Sequence, residues 1–320
     1  MLGYTSILAA IAPVFLLMAL GAGLRASGRL TAEADASLMR LVVQVFYPAL
    51  ILRFILGSEA LRHPANLFFA PGIGFGTIVL GFVVAFLLGR LLGLKKGAGH
   101  RTFAFTGGVY NYGYMAIPVV VAVFPENKES ILALLLLHNV GVEVAIWSLG
   151  IILITGQFSR EAWRKLLNPP VLTLAVALPL SLTGLDRAVP DFIHALIGML
   201  AECAIPLGLV LAGATLTDLL RERTSLLAPL RVPLGACLHR ALLMPLAFLG
   251  LAATLPGLSH ELRMVMLVQA AMPAGIFPIV ISRHYNGHLL TAIQVVFATS
   301  LLSLLTTPLW IKVGLRWLGE

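Results

Sequence analysis

Apolar residues run along this 320-residue chain in blocks of roughly span length, separated by short joints that hold the charges, glycines and turn residues. A helix needs about 20 mainly apolar residues to cross some 30 Å of hydrocarbon. Cutting at the joints gives ten such blocks, near 6–24, 38–57, 66–92, 102–124, 130–155, 168–184, 192–217, 233–257, 262–282 and 289–311. No joint is long enough to hold a soluble domain. The pattern predicts an all-α polytopic membrane protein with ten transmembrane helices. Met1 to Gly3 supply no positive n-region and no convincing small-residue cleavage site follows, so the first block reads as a retained span and not as a signal peptide.

The two halves of the chain repeat each other. "QVFYPALIL" (44–52) in the second block matches "ECAIPLGLV" (202–210) in the seventh, with Pro48 over Pro206 and Gln44 over Glu202. "YMAIPVVVAVF" (114–124) in the fourth matches "AGIFPIVISRH" (274–284) in the ninth, with Pro118 over Pro278. The offsets are 158 and 160 positions, and each match falls at the same ordinal block of its half. Five spans per half is an odd number, so the copies insert with opposite orientation. The expectation is a 5+5 inverted repeat, residues 1–155 and 168–320, of the kind found in secondary transporters.

The fourth and ninth blocks make poor membrane helices. "GGVYNYGYMAIPVVVAVF" (107–124) and "QAAMPAGIFP" (269–278) carry Gly107, Gly108, Gly113 and Pro118, and Pro273, Gly275 and Pro278. Proline removes a backbone donor and glycine permits unwinding. Broken backbone must be buried in protein or line a wet cavity. Half-helix N-termini suit a carboxylate and C-termini suit a cation. The substrate residues expected at this crossing are Tyr110, Asn111, Gly113, Tyr114, Pro118, Met272, Pro273, Gly275 and Pro278. Tyr110, Tyr112 and Tyr114 alternate, so one intact helix could not turn all three to one side.

Composition sharpens this picture. With 59% hydrophobic and 11% charged residues and a mean hydropathy of +0.97, the chain is far more apolar than a soluble domain, which carries roughly 25% charged residues. The net charge of +8 does not imply a nucleic-acid partner, because basic residues gather in the cytoplasmic loops of membrane proteins. Fifteen of the 22 basic residues, Lys96 and Arg223 among them, fall on the side away from the termini. Both termini are therefore expected outside, with the loops after the odd-numbered spans cytoplasmic. Cys203 and Cys237 lie within apolar blocks, which argues against a disulfide framework. The chain has no HExxH, GxxxxGK[ST] or GxSxG motif, so no catalytic residue, metal or cofactor is expected beyond a coupling proton or sodium ion.

Ionisable and polar residues at membrane depth are functional candidates. Asn139 and Glu143 share a helix face, with His138 beside them and Trp147 one turn on. At an offset of 160, Thr299, Ser303 and Thr307 form a matching stripe, and Gln269 stands one turn before Pro273. The expected ion-coupling set is His138, Asn139, Glu143, Gln269, Thr299 and Ser303. Glu143 alternatively pairs permanently with a neighbour. Gln44 and Glu202 either line the scaffold or face a neighbouring helix or a second subunit. His239 and Arg240 read as residues snorkelling at the cytoplasmic entry of the eighth span. "FSREAWRKLL" (158–167) reads as a solvated connector with some interfacial character.

The motifs "GVYNYGYMAIPVV", "YPALIL", "IPLGLVLAG", "NPPVLTLAVAL" and "MPAGIFPIVISRHY", in this order over essentially the whole chain, resemble the auxin efflux carrier family. That family comprises plant PIN carriers and bacterial relatives often described as malate or malonate permeases. The resemblance implies a bile-acid-symporter-like fold, with spans 1, 2, 6 and 7 as scaffold and spans 3–5 and 8–10 as an elevator-type transport domain. The fourth and ninth spans become crossover helices, and a homodimer in the plasma (bacterial inner) membrane is implied. The long cytoplasmic loop of many plant members is missing: only 156–167 stands there, so the plant substrate does not carry over. The reading is a secondary carrier for small organic anions, not an enzyme. A sodium-coupled bile-acid-type symporter and a non-transporting membrane sensor are the alternatives.

Overall fold

The computed structural model describes residues 3–95, 97–221 and 230–319; Met1, Leu2, Lys96 and Arg223 lie outside them. In chain order the helices are α1 (Tyr4–Ala26), α2 (Ala32–Ile55), α3 (Pro64–Leu91), α4 (His100–Gly108), α5 (Ala116–Val123), α6 (Lys128–Thr155), α7 (Arg160–Arg164), α8 (Pro169–Thr183), α9 (Asp191–Arg221), α10 (Arg231–Thr254), α11 (His260–Ala271), α12 (Phe277–His284) and α13 (Leu289–Leu318). Seven of them, α1, α2, α3, α6, α9, α10 and α13, are long and apolar enough to cross a membrane. α8 is a shorter apolar helix. The fourth and ninth apolar blocks are each interrupted, giving α4 with α5 and α11 with α12. Large apolar side chains such as Leu16, Phe68, Leu91, Phe192 and Met199 stand on the outside, as lipid-facing positions do. This is a multi-pass helical membrane protein.

Two boundaries differ from the sequence expectation. α2 starts at Ala32 and not near 38, because the Thr31 hydroxyl accepts from Ala34 N and Asp35 in the first turn binds Arg25 at 2.7 Å. Asp218 reaches the same guanidinium at 3.1 Å, tying the ends of α1, α2 and α9 together. α13 runs on to Leu318, beyond the expected end near 311.

Glycines set the closest helix contacts. A Cβ on Gly21 would collide with Val210 O, and one on Gly213 would collide with Met18 O, so α1 and α9 touch backbone to backbone. The same reciprocal arrangement joins α3 to α6, where Gly74 faces His138 O and Gly141 faces Pro71 O. Gly81 on α3 stands against the carbonyl of Gly108 at the end of α4. Small residues are how membrane helices gain van der Waals contact where no hydrophobic force drives them together.

Among the described residues, three long helices contain a π turn: Val42–Phe46 in α2, Ile146–Gly150 in α6 and His239–Leu243 in α10. Each widened turn rotates the following side chains relative to a regular helix, and such turns concentrate at functional sites.

Candidate functional site

Local sequence decides where the two interrupted helices stop. Gly107 and Gly108 close α4, packed so tightly under Phe82 that a Cβ on Gly108 would clash. Met272 precedes Pro273, and a residue before proline is driven out of the α region. Met272 is accordingly extended, at φ −78° and ψ 140°, and α11 ends there. The freed backbone groups of one break satisfy those of the other. Asn111 N donates to Pro273 O at 2.8 Å, Gly275 N donates to Val109 O at 2.9 Å, and Tyr110 pairs with Ala274 in an antiparallel bridge. Thr299 Oγ1 accepts from Ala274 N at 3.2 Å, and Thr307 donates to Ala271 O at 3.0 Å. Two residues of the α13 stripe are thus spent on the second break, while Ser303 donates to Ser300 O within its own helix at 2.6 Å.

Beside this junction lies a cavity of about 490 Å³. Its walls come from α2 (Val43, Tyr47, Ile51), the first break (Tyr110 to Tyr114), α6 (Asn139, Glu143, Trp147), the segment before α8 (Lys165, Asn168) and the second break (Gly275 to Pro278). Tyr110, Asn111, Gly113, Tyr114, Gly275 and Pro278 line it; Pro118 does not. Met272 and Pro273 instead border a separate void of about 10 Å³ with Thr299, Ser303, Cys237 and Arg240. His138 and Gln269 line neither.

Each tyrosine of the first break finds its own partner. The Tyr110 hydroxyl lies 2.9 Å from Thr77 Oγ1 and 3.4 Å from His138 Nε2, fully buried. Tyr112 donates to Glu143 Oε1 at 2.6 Å, and Tyr114 donates to Met39 Sδ at 3.5 Å. Asn111 Oδ1 accepts from Met115 N at 3.3 Å, so what this side chain has left to offer a ligand is its amide donor pair.

Glu143 is held from three directions: by Tyr112, by Trp147 Nε1 one turn along at 2.8 Å, and by Asn168 Nδ2 at 3.4 Å. Asn168 itself caps α8 by accepting from Val171 N. Asn139 and Gln269 both donate to Tyr112 O, at 3.1 and 3.3 Å, and Gln269 also donates to Asn139 Oδ1 at 3.4 Å. His138 bonds Asn139 and Tyr110, not Glu143. Among the described lining residues, Glu143 and Lys165 are the charged ones. Lys165 Nζ lies 5.6 Å from the centroid of the Trp147 ring and 5.2 Å from that of Tyr285, and 3.1 Å from His284 Nε2.

The structure corrects the reading of His239 and Arg240. Arg240 stands nine residues into α10, about 13 Å of helix rise, and with His239 it opens the π turn, both side chains inside. His239 is fully buried and Arg240 is 3% exposed, so neither snorkels. Arg240 Nη2 donates to Met272 O at 2.6 Å and to Gln269 O at 3.4 Å, and Nε donates to Met272 O at 3.2 Å. Its guanidinium carbon stands 5.4 Å from the Tyr110 ring centroid and 6.0 Å from that of Phe248. Gln44 and Glu202 line neither cavity; Glu202 is exposed and pairs with Arg53 at 3.2 Å.

A family model described as membrane transport protein matches residues 6–162 and 158–311, nearly the full length. The chain belongs to this family, that of the auxin efflux carriers. An uncharacterized transporter of the archaeon Methanothermobacter thermautotrophicus is 26% identical over 304 residues, covering 93% of this chain and 95% of that protein. The comparisons make this auxin efflux carrier relative a membrane transporter.

Several residues of the carrier's cavity were missed by sequence reasoning. Tyr47 adjoins the matched Pro48, but only the packing puts its hydroxyl 3.1 Å from where a Cβ on Gly113 would stand. Lys165 sits in the connector 158–167 that read as solvated, and Asn168 opens the sixth apolar block, where it read only as part of a family motif. Arg240 did carry a signal: it is an ionisable residue inside an apolar block. Placing the start of that block at 233 moved it to the rim.

Proposed function

We propose that the chain is a secondary carrier for small organic anions, mono- or dicarboxylates, working by elevator-type alternating access. The observation that carries this reading is the stitched pair of helix breaks forming one wall of the 490 Å³ cavity, with Asn111 and Lys165 as donors on its lining. Lys165 and the amide of Asn111 would hold the carboxylate, and the apolar wall from α2 and α8 would take the rest of the molecule. The scaffold is α1, α2, α8 and α9; the moving part is α3 to α6 with α10 to α13. Residues 1–155 and 168–320 are then the two inverted repeats. The glycine contacts support this division, since α1 locks to α9 within the scaffold and α3 locks to α4 and α6 within the moving part.

Glu143 is the proposed proton site, facing the cavity among Tyr47, Tyr112, Trp147, Lys165 and Asn168. Asn139 and Gln269 fix the Tyr112 carbonyl beside it. The carrier sits in the plasma membrane with both termini outside, a placement supported by the skew of basic residues. It works as a homodimer: Glu202, exposed within α9, and its partner Arg53 need cover from lipid, which a second copy supplies.

The test is flux. Purified protein in liposomes should move labelled carboxylates down an imposed gradient, faster with a proton gradient of the right sign. Binding without movement under every gradient would make the protein a sensor.

A further inference from the structure

We propose that Arg240 is a tethered substitute for a coupling cation: its guanidinium fills the cation niche at the carbonyl end of α11 and closes this arm to sodium. The proposal rests on the carrier reading and deepens it by naming which ion the crossing refuses.

A helix that stops inside a membrane leaves orphan carbonyls at the negative end of its dipole, which is a ready site for a cation. At the end of α11 these oxygens already have protein donors. Met272 O and Gln269 O accept from Arg240, Ala271 O from Thr307, and Pro273 O from the backbone of Asn111. Among the described residues no carboxylate pairs with Arg240, although Arg25 has two and Arg53 and Lys165 one each. A buried charge without a counter-charge is costly unless something else compensates it. Here the compensation is the carbonyl pair together with the ring faces of Tyr110 and Phe248. Arginine does not lose its proton in proteins, so the charge is permanent and repels any second cation. The adjoining void of about 10 Å³ is lined by Thr299, Ser303 and Thr306 among others. Taking the guanidinium away would join that void to a bare Met272 O and to Gln269 O, left with only the Met272 amide, carbonyl oxygens of the kind hard cations select.

The experiment is thermal unfolding of the purified full chain in sodium, lithium or choline chloride at equal ionic strength, with uptake measured in the same salts. Wild type should melt at one temperature in all three and transport equally well with choline outside. Arg240→Ala should melt lower in choline and recover part of the loss in sodium or lithium, and in ethylguanidinium at sub-denaturing concentration. Arg240→Lys should stay near wild type and insensitive to cations, while Arg240→Gln, a neutral donor, should fall with Ala. Sodium stabilisation of wild type would overturn the proposal, as would a Gln variant as stable as wild type or a folded Ala variant blind to cations. If Arg240→Ala does not fold, the wild-type salt comparison and the Lys and Gln pair decide by themselves. Melting does not depend on flux, so a failed uptake assay with the cation responses intact would sink the carrier reading and leave this one standing.

Discussion

Tyr110 and Ala274 lie 164 positions apart in sequence and face each other across an antiparallel bridge, flanked by the 2.8 Å bond from Asn111 N to Pro273 O and the 2.9 Å bond from Gly275 N to Val109 O. Each break is therefore completed by the other. Neither can shift alone without stripping two backbone hydrogen bonds in a site where water replaces them poorly. Whatever moves at this site moves both breaks together.

Asn111 stands where that junction meets the cavity. Asn111→Ala should leave the backbone bond to Pro273 in place and remove the side-chain amide. Affinity for a carboxylate should fall about ten- to hundredfold, the range for a hydrogen bond to a charged group, while the protein stays inserted and monodisperse. Equilibrium binding to purified protein checks this, and unchanged affinity would move the site elsewhere.

Glu143 is predicted to carry the proton. Glu143→Gln keeps one acceptor oxygen, for Trp147 and Asn168, and can donate its amide to the Tyr112 hydroxyl, but it cannot titrate. Uptake by the variant should lose its dependence on pH while retaining substrate binding, measured in vesicles across a pH series. A pH profile identical to wild type would return Glu143 to a purely structural role.

Lys165 contributes charge from a connector and packs over two rings. Lys165→Ala should raise KM for anions with little change in kcat, and the difference from wild type should shrink as ionic strength rises, because a charge near solvent is screened. An effect on kcat alone would mean that the residue acts on movement instead of capture.

Backbone-tight glycines give a stability prediction with built-in controls. Gly21→Ala and Gly213→Ala force α1 and α9 apart, as Gly141→Ala does for α3 and α6, and each should cost about 1–3 kcal/mol, the usual range for overpacking. Gly23→Ala and Gly76→Ala, on the same helices but with no atoms in the way, should be neutral. Thermal scans in detergent compare the sets; equal melting for both would show that the helices can slide apart freely.

Much of this arrangement is legible from residue order. Apolar block length marks the seven long helices, and Gly107, Gly108, Pro273 and Gly275 mark the interruptions, glycine by permitting unwinding and proline by removing a donor and driving Met272 out of the α region. The four-residue spacing of Asn139, Glu143 and Trp147 puts them on one face, two of them now bonded to each other. What the sequence hides is the π turn. Adding one residue to a turn leaves no trace in composition, and Arg240 sits in such a turn. Contacts made across the chain are hidden too, such as Asn168 reaching Glu143 or Gln269 reaching the Tyr112 carbonyl. They depend on where helices cross, which no local pattern records.

The glycine contacts have a mechanical consequence. Inside the proposed bodies, Gly21, Gly213, Gly74, Gly81 and Gly141 each meet a helix backbone, which is fixed. Between the bodies, Gly113 meets the Tyr47 hydroxyl and Gly208 meets the Tyr114 ring, each 3.1 Å from the position of a Cβ. A carbonyl in a helix has nowhere to go, whereas a ring pivots about two torsions. The seam is faced with bearings and the blocks on either side are keyed solid, so friction along the seam is set by how readily two tyrosines turn.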